Sequence, residues 1–476
     1  MSRAEIAIER LKREIGGEKI FTDAKSIADA SADNSRYYFS PDFVVKAHSP
    51  EDVSKVLKIA NEEKICVCPR GAGSGCCGAV LPVFKGIALD LSPINFIEID
   101  PVSWTARVGA GAVNANVDKA AEKFGLMYPP DPSSKNYSTI GGNIACNAGG
   151  LRAAKYGTTR DYVAALKVCL ADGRIAEFSR PLRKFSVGMN LKDLFIGSEG
   201  SLGVIVEAWL KLVKRPPFKA ATLAYFKSDN EAFACVQEIL KSNIMPAVLE
   251  FMDEQSAAAA AQFQNIKMPQ FSVLLIELDG EKSEINSAQK ILDEILKRRA
   301  EKFETEENGE KAERLWQMRR CCSPAMLLLN KSKLNQDIVL PISKTAEFFD
   351  YFKALGREYN LPTPTFGHAA DGNYHIHFMY DDSDESQKRG AFEAMGKAVL
   401  KTVELGGAIS GEHGIGITKA KYFGIQIKDA EFEMMKRVKK AFDPNGILNP
   451  QLCYLNTIDI RAYPQRKDIA LPWDKR

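Results

Sequence analysis

The stretch from Gly109 to Gly203 constrains the fold most strongly, because glycine and proline recur there in four short clusters. The clusters are Pro129-Pro130-Asp131-Pro132, Gly141-Gly142-Asn143, Asn147-Ala148-Gly149-Gly150 and Gly197-Ser198-Glu199-Gly200. A single glycine is ordinary in a loop, but four clusters indicate backbone that passes close to a large ligand. We therefore predict short strands and turns here that line a bound molecule.

An earlier glycine-rich loop, Pro69-Arg70-Gly71-Ala72-Gly73-Ser74-Gly75, follows a predicted strand over residues 65–69. Successive glycines permit positive φ, so several backbone N–H groups can turn toward one anion such as a pyrophosphate. The loop lacks the spacing of the Rossmann dinucleotide site, because its last two glycines are too close and no clear helix follows. Taken alone, it is a weak indication of a phosphate site.

The composition is that of a folded protein with several domains. The chain has 476 residues, and domains of about 100–200 residues are usual. Hydrophobic residues make up 45% and charged residues 26%, which allows large buried cores. Lysine and arginine number 64 against 61 aspartate and glutamate, so the sequence gives no reason to expect a nucleic-acid partner.

The sequence predicts neither a membrane span nor an export signal. The longest apolar runs, Ala257–Ala261 and Val273–Ile276, fall well short of the roughly 18–20 residues that a spanning helix needs. Residues 1–16 form a predicted amphipathic helix rather than a signal peptide. The ten cysteines contain no Cys-x-x-Cys, which disfavours zinc-ribbon and iron–sulfur sites and favours reduced thiols in the cytoplasm.

Four of the five histidines fall in two short segments, Gly367–His377 and Ser410–Gly416. Such clustering with acidic residues is typical of metal ligands. The first segment has the pattern of a strand, an Asp-Gly-Asn turn and a returning strand, so His368 and His375 can face each other. Alternation puts His377 on the same strand face as His375, and from the residues alone it is a rival ligand.

The second segment supplies a carboxylate beside an imidazole. Glu412 and His413 are neighbours and point in different directions, so one can bind a metal while the other faces a substrate. Two imidazoles and one carboxylate suit Zn²⁺, Mn²⁺ or Fe²⁺ and leave coordination positions for a substrate.

The order and spacing of these motifs resemble one family. They are similar to the flavoproteins typified by vanillyl-alcohol oxidase and p-cresol methylhydroxylase, and most of all to their D-lactate dehydrogenase, glycolate oxidase and D-2-hydroxyglutarate dehydrogenase branch. The resemblance runs from about Phe43 to Asn449. It implies an α+β fold: a two-subdomain FAD-binding domain of the p-cresol methylhydroxylase type (1–216), a substrate or cap domain on an antiparallel sheet (217–420), and a C-terminal segment (421–476) that returns to the FAD domain. The change of pattern around Lys214-Arg215-Pro216-Pro217 agrees with the first boundary.

The resemblance also implies how FAD is held. The glycine-rich loop would bind the pyrophosphate, and the later segments would line the adenosine and the isoalloxazine. The implied cofactor-binding residues are Arg70, Gly71, Ala72, Gly73, Ser74, Gly75, Pro130, Asp131, Ser133, Ser134, Gly141, Gly142, Asn143, Asn147, Glu199, Gly203, Val204 and Ile205. Because His48 is the only histidine in this half, we expect dissociable FAD, with Cys146 as the alternative point of covalent attachment.

By the same resemblance, His368, His375 and Glu412 are the metal ligands and His413 is the catalytic base. Leu315–Arg319 is similar to the family's Trp-x-x-Arg segment, in which the arginine pairs with the substrate carboxylate. Arg320 is the alternative. Asn373 resembles a substrate-contacting asparagine.

The implied function is oxidation of a small D-2-hydroxy acid to the 2-oxo acid by hydride transfer to flavin N5. Asn335 stands where some hydroxyglutarate-type relatives carry a lysine, although Lys333 is close. D-Lactate or glycolate is therefore favoured over D-2-hydroxyglutarate as the substrate. Three further functions stay open: a flavin-binding electron-transfer subunit of a larger complex, a metallohydrolase, and a flavin enzyme that adds alkyl or aryl groups.

The electron acceptor is expected to be a separate partner, since the sequence has no iron–sulfur motif. An electron-transfer flavoprotein, an iron–sulfur subunit and a quinone all fit this requirement, and direct oxidase activity stays open as well. We expect a cytoplasmic protein, either fully soluble or peripheral to the membrane, and a homodimer is one expected assembly.

Overall fold

The computed structural model describes residues 1–266, 270–307, 310–450 and 465, with the backbone alone described for residues 310–315. Two compact units divide the chain. The first contains residues 1–149, 158–215 and the segment from 412 onward, and the second contains residues 150–157 and 216–411. The part of the predicted C-terminal segment (421–476) that follows Pro450 lies outside the described residues, Gln465 excepted.

The described residues of the first unit form eleven strands in three sheets. They are β1 (Ile20–Phe21), β2 (Phe43–Lys46), β3 (Val67–Arg70), β4 (Ile87–Asp90), β5 (Ile97–Asp100), β6 (Thr105–Gly109), β7 (Leu126–Met127), β8 (Val163–Cys169), β9 (Ile175–Ser179), β10 (Val204–Lys211) and β11 (Val213–Lys214). The sheet orders are β1-β2-β4-β3, β5-β6-β10-β8-β9 and β11-β7. β2, β3 and β4 run parallel, whereas the five-stranded sheet is antiparallel.

The helices of the first unit connect and cover these sheets. They are Arg3–Ile15, Ala24–Ala30, Pro50–Glu63, Asn114–Glu122, Ile140–Cys146, Thr159–Tyr162, Lys192–Phe195, Phe423–Gln426 and Asp429–Phe442. Pro50–Glu63 begins at a local capping signal, because Ser49 accepts a hydrogen bond from the Asp52 N–H and Pro50 occupies the first helical position. Its apolar face, including Val53, Val56 and Leu57, is fully buried in the core.

One glycine cluster opens a helix instead of forming only a turn. Thr139 caps the helix Ile140–Cys146 by accepting a hydrogen bond from the Gly142 N–H. A Cβ on Gly141 would lie 2.7 Å from the Cβ of Ala110, so this glycine lets the helix lie directly against neighbouring backbone. The group that Gly141 approaches closely is thus part of the protein itself.

In its described residues, the second unit is built on one seven-stranded sheet. Its strands are β12 (Phe218–Phe226), β13 (Val248–Met252), β14 (Ser272–Gly280), β15 (Lys302–Glu306), β16 (Ser332–Val339), β17 (Thr365–His368) and β18 (Asn373–Tyr380), in the order β15-β12-β14-β13-β17-β18-β16. Every neighbouring pair is antiparallel, which confirms the antiparallel sheet predicted for this part of the chain. The helices are Ala153–Tyr156, Asp229–Lys241, Glu254–Phe263, Lys282–Arg299, Glu310–Ala325, Thr345–Glu358 and Glu385–Glu404.

Candidate functional site

Arg70, predicted to contact the cofactor pyrophosphate, has a buried side chain that points back into its own unit. Its guanidinium donates to the carbonyl oxygens of Ala32 (2.7 Å), Asp29 (3.2 Å) and Ala30 (3.4 Å). These carbonyls lie at or just after the C-terminal end of a helix, where backbone acceptors lack helical partners. Arg70 therefore fastens the glycine-rich loop to the segment before it.

The glycines of that loop are required by close contacts. Gly73 has φ +69°, and a Cβ there would lie 2.4 Å from the Arg70 guanidinium. A Cβ on Gly71 would lie 2.2 Å from the Thr139 hydroxyl. The loop is therefore held by its own unit, and its backbone N–H groups between Gly71 and Gly75 are the chemistry that it can offer an anion.

Two more predicted cofactor segments meet inside the first unit. The Gly197 N–H donates to the Ile144 carbonyl at 3.0 Å, and the Glu199 N–H donates to the Ala145 carbonyl at 2.8 Å. Asn147 has φ +52°, and its side-chain oxygen accepts from the Arg160 N–H at 2.9 Å. The segments Gly141–Asn147 and Gly197–Gly200 thus form one connected backbone surface.

The remaining predicted cofactor residues are placed as follows. Pro130 and Asp131 are buried, Ser134 is half-buried and Ser133 is exposed. Val204 and Ile205 begin β10 and are buried opposite Cys169 and Val168. A Cβ on Gly203 would lie 2.6 Å from Val168, so packing within the unit requires that glycine.

Glu199 is fully enclosed in the first unit, and its carboxylate binds backbone. It accepts hydrogen bonds from the N–H groups of Ile415 (2.5 Å) and Gly416 (3.0 Å). Burial raises the pKa of Glu199, and the two backbone N–H groups act in the opposite direction. Glu199 therefore anchors the segment that directly follows His413.

In the second unit, His368 ends β17 and His375 lies on β18, as the predicted hairpin requires. The strand register sets His368 opposite Asn373, and Gly372 closes the turn with φ +77°. Both imidazoles are buried, and their centroids are 5.6 Å apart with the rings nearly perpendicular. One ring nitrogen of each lies within 4.8 Å of the other, a separation that one metal ion can bridge.

Glu250 on β13, which the sequence analysis does not single out, contacts two predicted site residues. Its Oε1 is 2.5 Å from Nδ1 of His368, and its Oε2 accepts from Nε of Arg319 at 2.5 Å. The carboxylate is fully buried. Burial alone would raise the pKa of Glu250, but the facing His368 and Arg319 lower it overall. Glu250 therefore lies at the centre of this group as a charged carboxylate.

A second buried carboxylate, Asp337 on β16, lies opposite His375 in the strand register. Its Oδ1 is 3.9 Å from Nδ1 of His375 and accepts from the side-chain amide of Asn373 at 2.5 Å. Its Oδ2 accepts from the Gly411 N–H at 3.0 Å. Each of the two paired histidines thus has an acidic side chain beside its Nδ1.

The structure also places the two rival residues. His377 lies one step further along β18, where its Nδ1 is 3.1 Å from the Pro364 carbonyl and its ring packs on Phe366. Arg320 is exposed, whereas Arg319 is buried with its guanidinium 4.7 Å from the centre of the Phe366 ring. Of the two candidate histidines, His375 therefore lies beside a buried carboxylate. Of the two candidate arginines, Arg319 does.

Glu412 and His413 are the first residues of the chain's return to the first unit. Nε2 of His413 is 3.8 Å from a carboxylate oxygen of Glu412, and both side chains are half-buried. A Cβ on Gly149 would lie 3.1 Å from the Glu412 carboxylate, so a glycine at 149 makes room for it.

Comparison with known proteins identifies the family. The family model described as "FAD binding domain" matches residues 41–179, and the one described as "FAD linked oxidases, C-terminal domain" matches residues 215–452. The glycolate oxidase subunit GlcD of Bacillus subtilis is 36% identical over 435 residues, covering 90% of this chain and 93% of its own. This chain belongs to the FAD-linked oxidases. It therefore binds FAD and acts as an oxidoreductase, as the sequence motifs predict.

Further relatives of this FAD-linked oxidase agree. The D-lactate dehydrogenase of Anaerostipes hadrus is 34% identical and covers 94% of this chain and 97% of its own. The D-2-hydroxyglutarate dehydrogenase of Stutzerimonas stutzeri is 30% identical, covering 93% and 97%. Among solved structures, p-cresol methylhydroxylase has a TM-score of 0.79 at 16% identity, covering 96% of this chain and 98% of its own. The predicted fold is confirmed.

Within the described ranges, no helix of the FAD-linked oxidase is long and apolar enough to cross a membrane.

Sequence reasoning found the histidines of the site but missed Glu250 and Asp337. A signal for Glu250 was present, because a glutamate inside the apolar strand Val248–Met252 is rarely buried without a charged partner.

Proposed function

We propose that this FAD-linked oxidase oxidises a small D-2-hydroxy acid, D-lactate or glycolate, to the 2-oxo acid with the help of a divalent metal. The observation that carries the proposal is the buried group of His368, His375 and Arg319 in one unit, ordered by two carboxylates. An imidazole pair suits a metal, and a guanidinium suits a carboxylate. Relatives named as a D-lactate dehydrogenase and a glycolate oxidase subunit support the substrate class.

FAD would be held by backbone. The N–H groups of Gly71–Gly75 suit the pyrophosphate, and the connected segments Gly141–Asn147 and Glu199–Ile205 suit the rest of the cofactor. Bound FAD supplies the acceptor for the Cα hydrogen and its two electrons. The closely fitted glycines at 71, 73 and 141 support this assignment, since side chains there would displace the backbone.

The proposed metal ligands are His368, His375 and Glu412, with Zn²⁺, Mn²⁺ or Fe²⁺ as the candidates. A bound divalent metal would lower the pKa of the substrate's α-hydroxyl. A carboxylate hydrogen-bonded to Nδ1 is the usual arrangement around a metal-binding imidazole. His368 has one in Glu250, and the Asp337 carboxylate lies 3.9 Å from Nδ1 of His375. Glu412 directly follows Gly411, whose N–H is bonded to Asp337 beside His375, which supports its inclusion.

His413 is the proposed base, and Arg319 with Asn373 is proposed to orient the substrate. His413 in its neutral form would take the α-hydroxyl proton at a ring nitrogen. Arg319 would bind the substrate carboxylate by charge-assisted hydrogen bonds. Asn373 is held by Asp337 and by the Ile338 carbonyl, which fixes its amide beside the two histidines.

Substrate size is proposed to depend on Asn335. This residue is exposed on β16 and shares a strand face with Asp337, two residues away. A neutral, short side chain there supplies no cation for a distal carboxylate, which favours lactate or glycolate. The similarity to a D-2-hydroxyglutarate dehydrogenase keeps the longer acid as the second candidate.

We also propose that the enzyme is cytoplasmic and binds to an anionic membrane surface. There it would pass electrons to a quinone rather than to an electron-transfer flavoprotein or an iron–sulfur subunit. The nine cysteines of the described residues are all free thiols, which suits a reducing compartment. The support for the membrane is the basic apolar loop, defined as residues 180–191. Its Val187 and Met189 are 75% and 83% exposed. Arg180, Arg183 and Lys184 lie in the same loop, and no acidic residue does.

Anaerobic flavin bleaching tests the proposed reaction. The purified holoprotein is mixed with D-lactate, L-lactate, glycolate and D-2-hydroxyglutarate, before and after chelator treatment. We expect bleaching by D-lactate or glycolate that falls on chelation and returns with added Zn²⁺ or Mn²⁺. No bleaching by any of the four acids would overturn the substrate class, and unchanged bleaching after metal removal would overturn the metal role.

A further inference from the structure

Glu250 divides its two oxygens between two different kinds of binding group. Oε1 faces Nδ1 of His368, and Oε2 accepts from Nε of Arg319, each at 2.5 Å. The side chain is 0% exposed, so these contacts are removed from bulk solvent. His368 is 118 residues away in the chain and Arg319 is 69 residues away, so the contact depends on the folded sheet.

The contact with His368 selects the state of its ring. A carboxylate at Nδ1 favours the proton on that nitrogen, which leaves the lone pair of Nε2 as the metal-binding atom. The same contact fixes the rotation of the imidazole, because Glu250 lies on β13 directly opposite His368. Glu250 therefore sets both the tautomer and the direction of this ligand.

The contact with Arg319 fixes a buried cation. Arg319 is 6% exposed, and its guanidinium also packs over the Phe366 ring. A guanidinium enclosed in this way needs a counter-charge, and removing the counter-charge is costly. Because Glu250 bonds to Nε, it orients the plane of the guanidinium from which a substrate carboxylate would be bound.

We infer that Glu250 is a shared positioning residue that couples metal binding by His368 to carboxylate recognition by Arg319. This inference rests on the proposed function, and it adds a residue that acts through the other two. Asp337 provides a comparison: it lies beside His375 and binds Asn373 and Gly411, whereas the two oxygens of Glu250 contact His368 and Arg319. A change at Glu250 should therefore weaken both metal binding and recognition of the substrate carboxylate.

Glu250→Gln is the principal test. An amide offers one acceptor oxygen, so it can satisfy either the His368 N–H or the Arg319 N–H but presents an N–H₂ group to the other. The first readout is the affinity of chelator-treated protein for Zn²⁺ alone, measured by competition with a chromophoric chelator. The second is the KM for the 2-hydroxy acid at a metal concentration that saturates every variant, compared with kcat. Both are repeated in the Arg319→Lys background.

Two further variants separate positioning from folding. Glu250→Asp keeps the charge and should recover part of both affinities. Glu277→Gln is the matched control, since Glu277 is also buried, lies on the adjacent strand β14, and pairs with Lys219 at 3.6 Å. Flavin content and thermal unfolding report whether each variant folds. If Glu250→Gln does not fold, the same readouts are taken on Glu250→Asp, which is then expected to fall below wild type in both affinities.

We expect Glu250→Gln to weaken Zn²⁺ binding by about ten- to a hundredfold and to raise KM by about tenfold, with Glu277→Gln unchanged. In the Arg319→Lys background, the effect of Glu250→Gln on KM should largely vanish. Unchanged Zn²⁺ affinity and KM in a folded Glu250 variant, or fully additive effects on KM, would overturn the inference. A wild type that is reduced by D-lactate but takes up no metal would instead overturn the metal part of the proposed function.

Discussion

The carboxylate of Glu199 accepts a hydrogen bond from the Gly416 N–H at 3.0 Å, across 217 residues of sequence. Gly414 is also part of this contact region, because a Cβ there would lie 2.1 Å from the same carboxylate. The residues Gly414–Gly416 directly follow His413. A buried acid of the first unit thus sets the backbone next to the proposed base.

Glu199→Gln should lower kcat more than it lowers FAD affinity. The amide loses one of the acceptors for the N–H groups of Ile415 and Gly416, so the segment after His413 is held less firmly. We expect a fall in kcat of about ten- to a hundredfold, the usual cost of a small misplacement of a catalytic group. Stopped-flow flavin reduction measures the catalytic rate, and an FAD titration of the apoprotein measures the FAD affinity.

Glu207→Gln is the matched control for that experiment. Glu207 is a buried carboxylate of the same unit, but it pairs with the side chains of Arg107 and Lys167 on a sheet face. It should leave kcat nearly unchanged. If Glu199→Gln lost FAD but kept wild-type turnover per bound flavin, Glu199 would act on the cofactor and not on the 414–416 segment.

Arg70→Lys should reduce stability as well as FAD binding. One ammonium cannot reproduce the fork of hydrogen bonds that the guanidinium makes to the Asp29, Ala30 and Ala32 carbonyls. We expect the free energy of unfolding to fall by about 2–4 kcal/mol, measured by urea denaturation of the apoprotein. If the apoprotein kept wild-type stability while FAD affinity fell, Arg70 would be a direct cofactor contact.

The local elements of this chain could be predicted because their signals are local. The helix Pro50–Glu63 has its cap and its apolar face within fifteen residues of sequence, and the Asp371-Gly372 turn fixes the hairpin that pairs His368 with Asn373. The clustering of histidines likewise points to the site without any knowledge of the fold.

Pairings across the sheet could not be predicted in the same way. Glu250 contacts His368 because β13 lies between β14 and β17, and a local sequence pattern does not specify the order of strands in a sheet. Arg70 shows a second limit. Its position in the glycine-rich loop predicts a phosphate contact, but the direction of its side chain depends on a helix end some forty residues earlier in the chain. Register and side-chain direction come from packing.

His413→Ala should retain FAD and lose most flavin reduction. Removing a general base usually costs about 10²–10⁴ in rate, and the change leaves the proposed metal ligands in place. Single-turnover reduction by D-lactate is the measurement, with FAD absorbance as the check on cofactor content. His48→Ala, an exposed histidine of the same unit, is the control and should behave as wild type. Retained reduction in His413→Ala would show that another group takes the proton.

The basic apolar loop predicts binding to anionic vesicles. Wild type should sediment with vesicles rich in phosphatidylglycerol and much less with phosphatidylcholine alone, and added salt should weaken binding. Val187→Asp with Met189→Asp should reduce the vesicle affinity at least about tenfold, since each change places a charge at the lipid surface. Met434→Asp, at an exposed position on the helix Asp429–Phe442, should have no such effect. Equal binding to neutral vesicles, or none to anionic ones, would contradict the membrane proposal.

Asn335→Lys should shift the enzyme toward dicarboxylic substrates. The position is exposed, and along a strand two residues span about 6.6 Å, so a lysine there lies on the same face as Asp337, within reach of a longer acid. We expect kcat/KM for D-2-hydroxyglutarate to rise up to about fivefold, because one exposed ion pair contributes up to about 1 kcal/mol, while kcat/KM for D-lactate stays level or falls. Asn335→Met has nearly the length of lysine without its charge and should leave the preference unchanged. If Asn335→Met raised kcat/KM for D-2-hydroxyglutarate equally, side-chain length and not charge would set the selectivity. If the wild type already preferred the dicarboxylate, Asn335 would not be the determinant of substrate size.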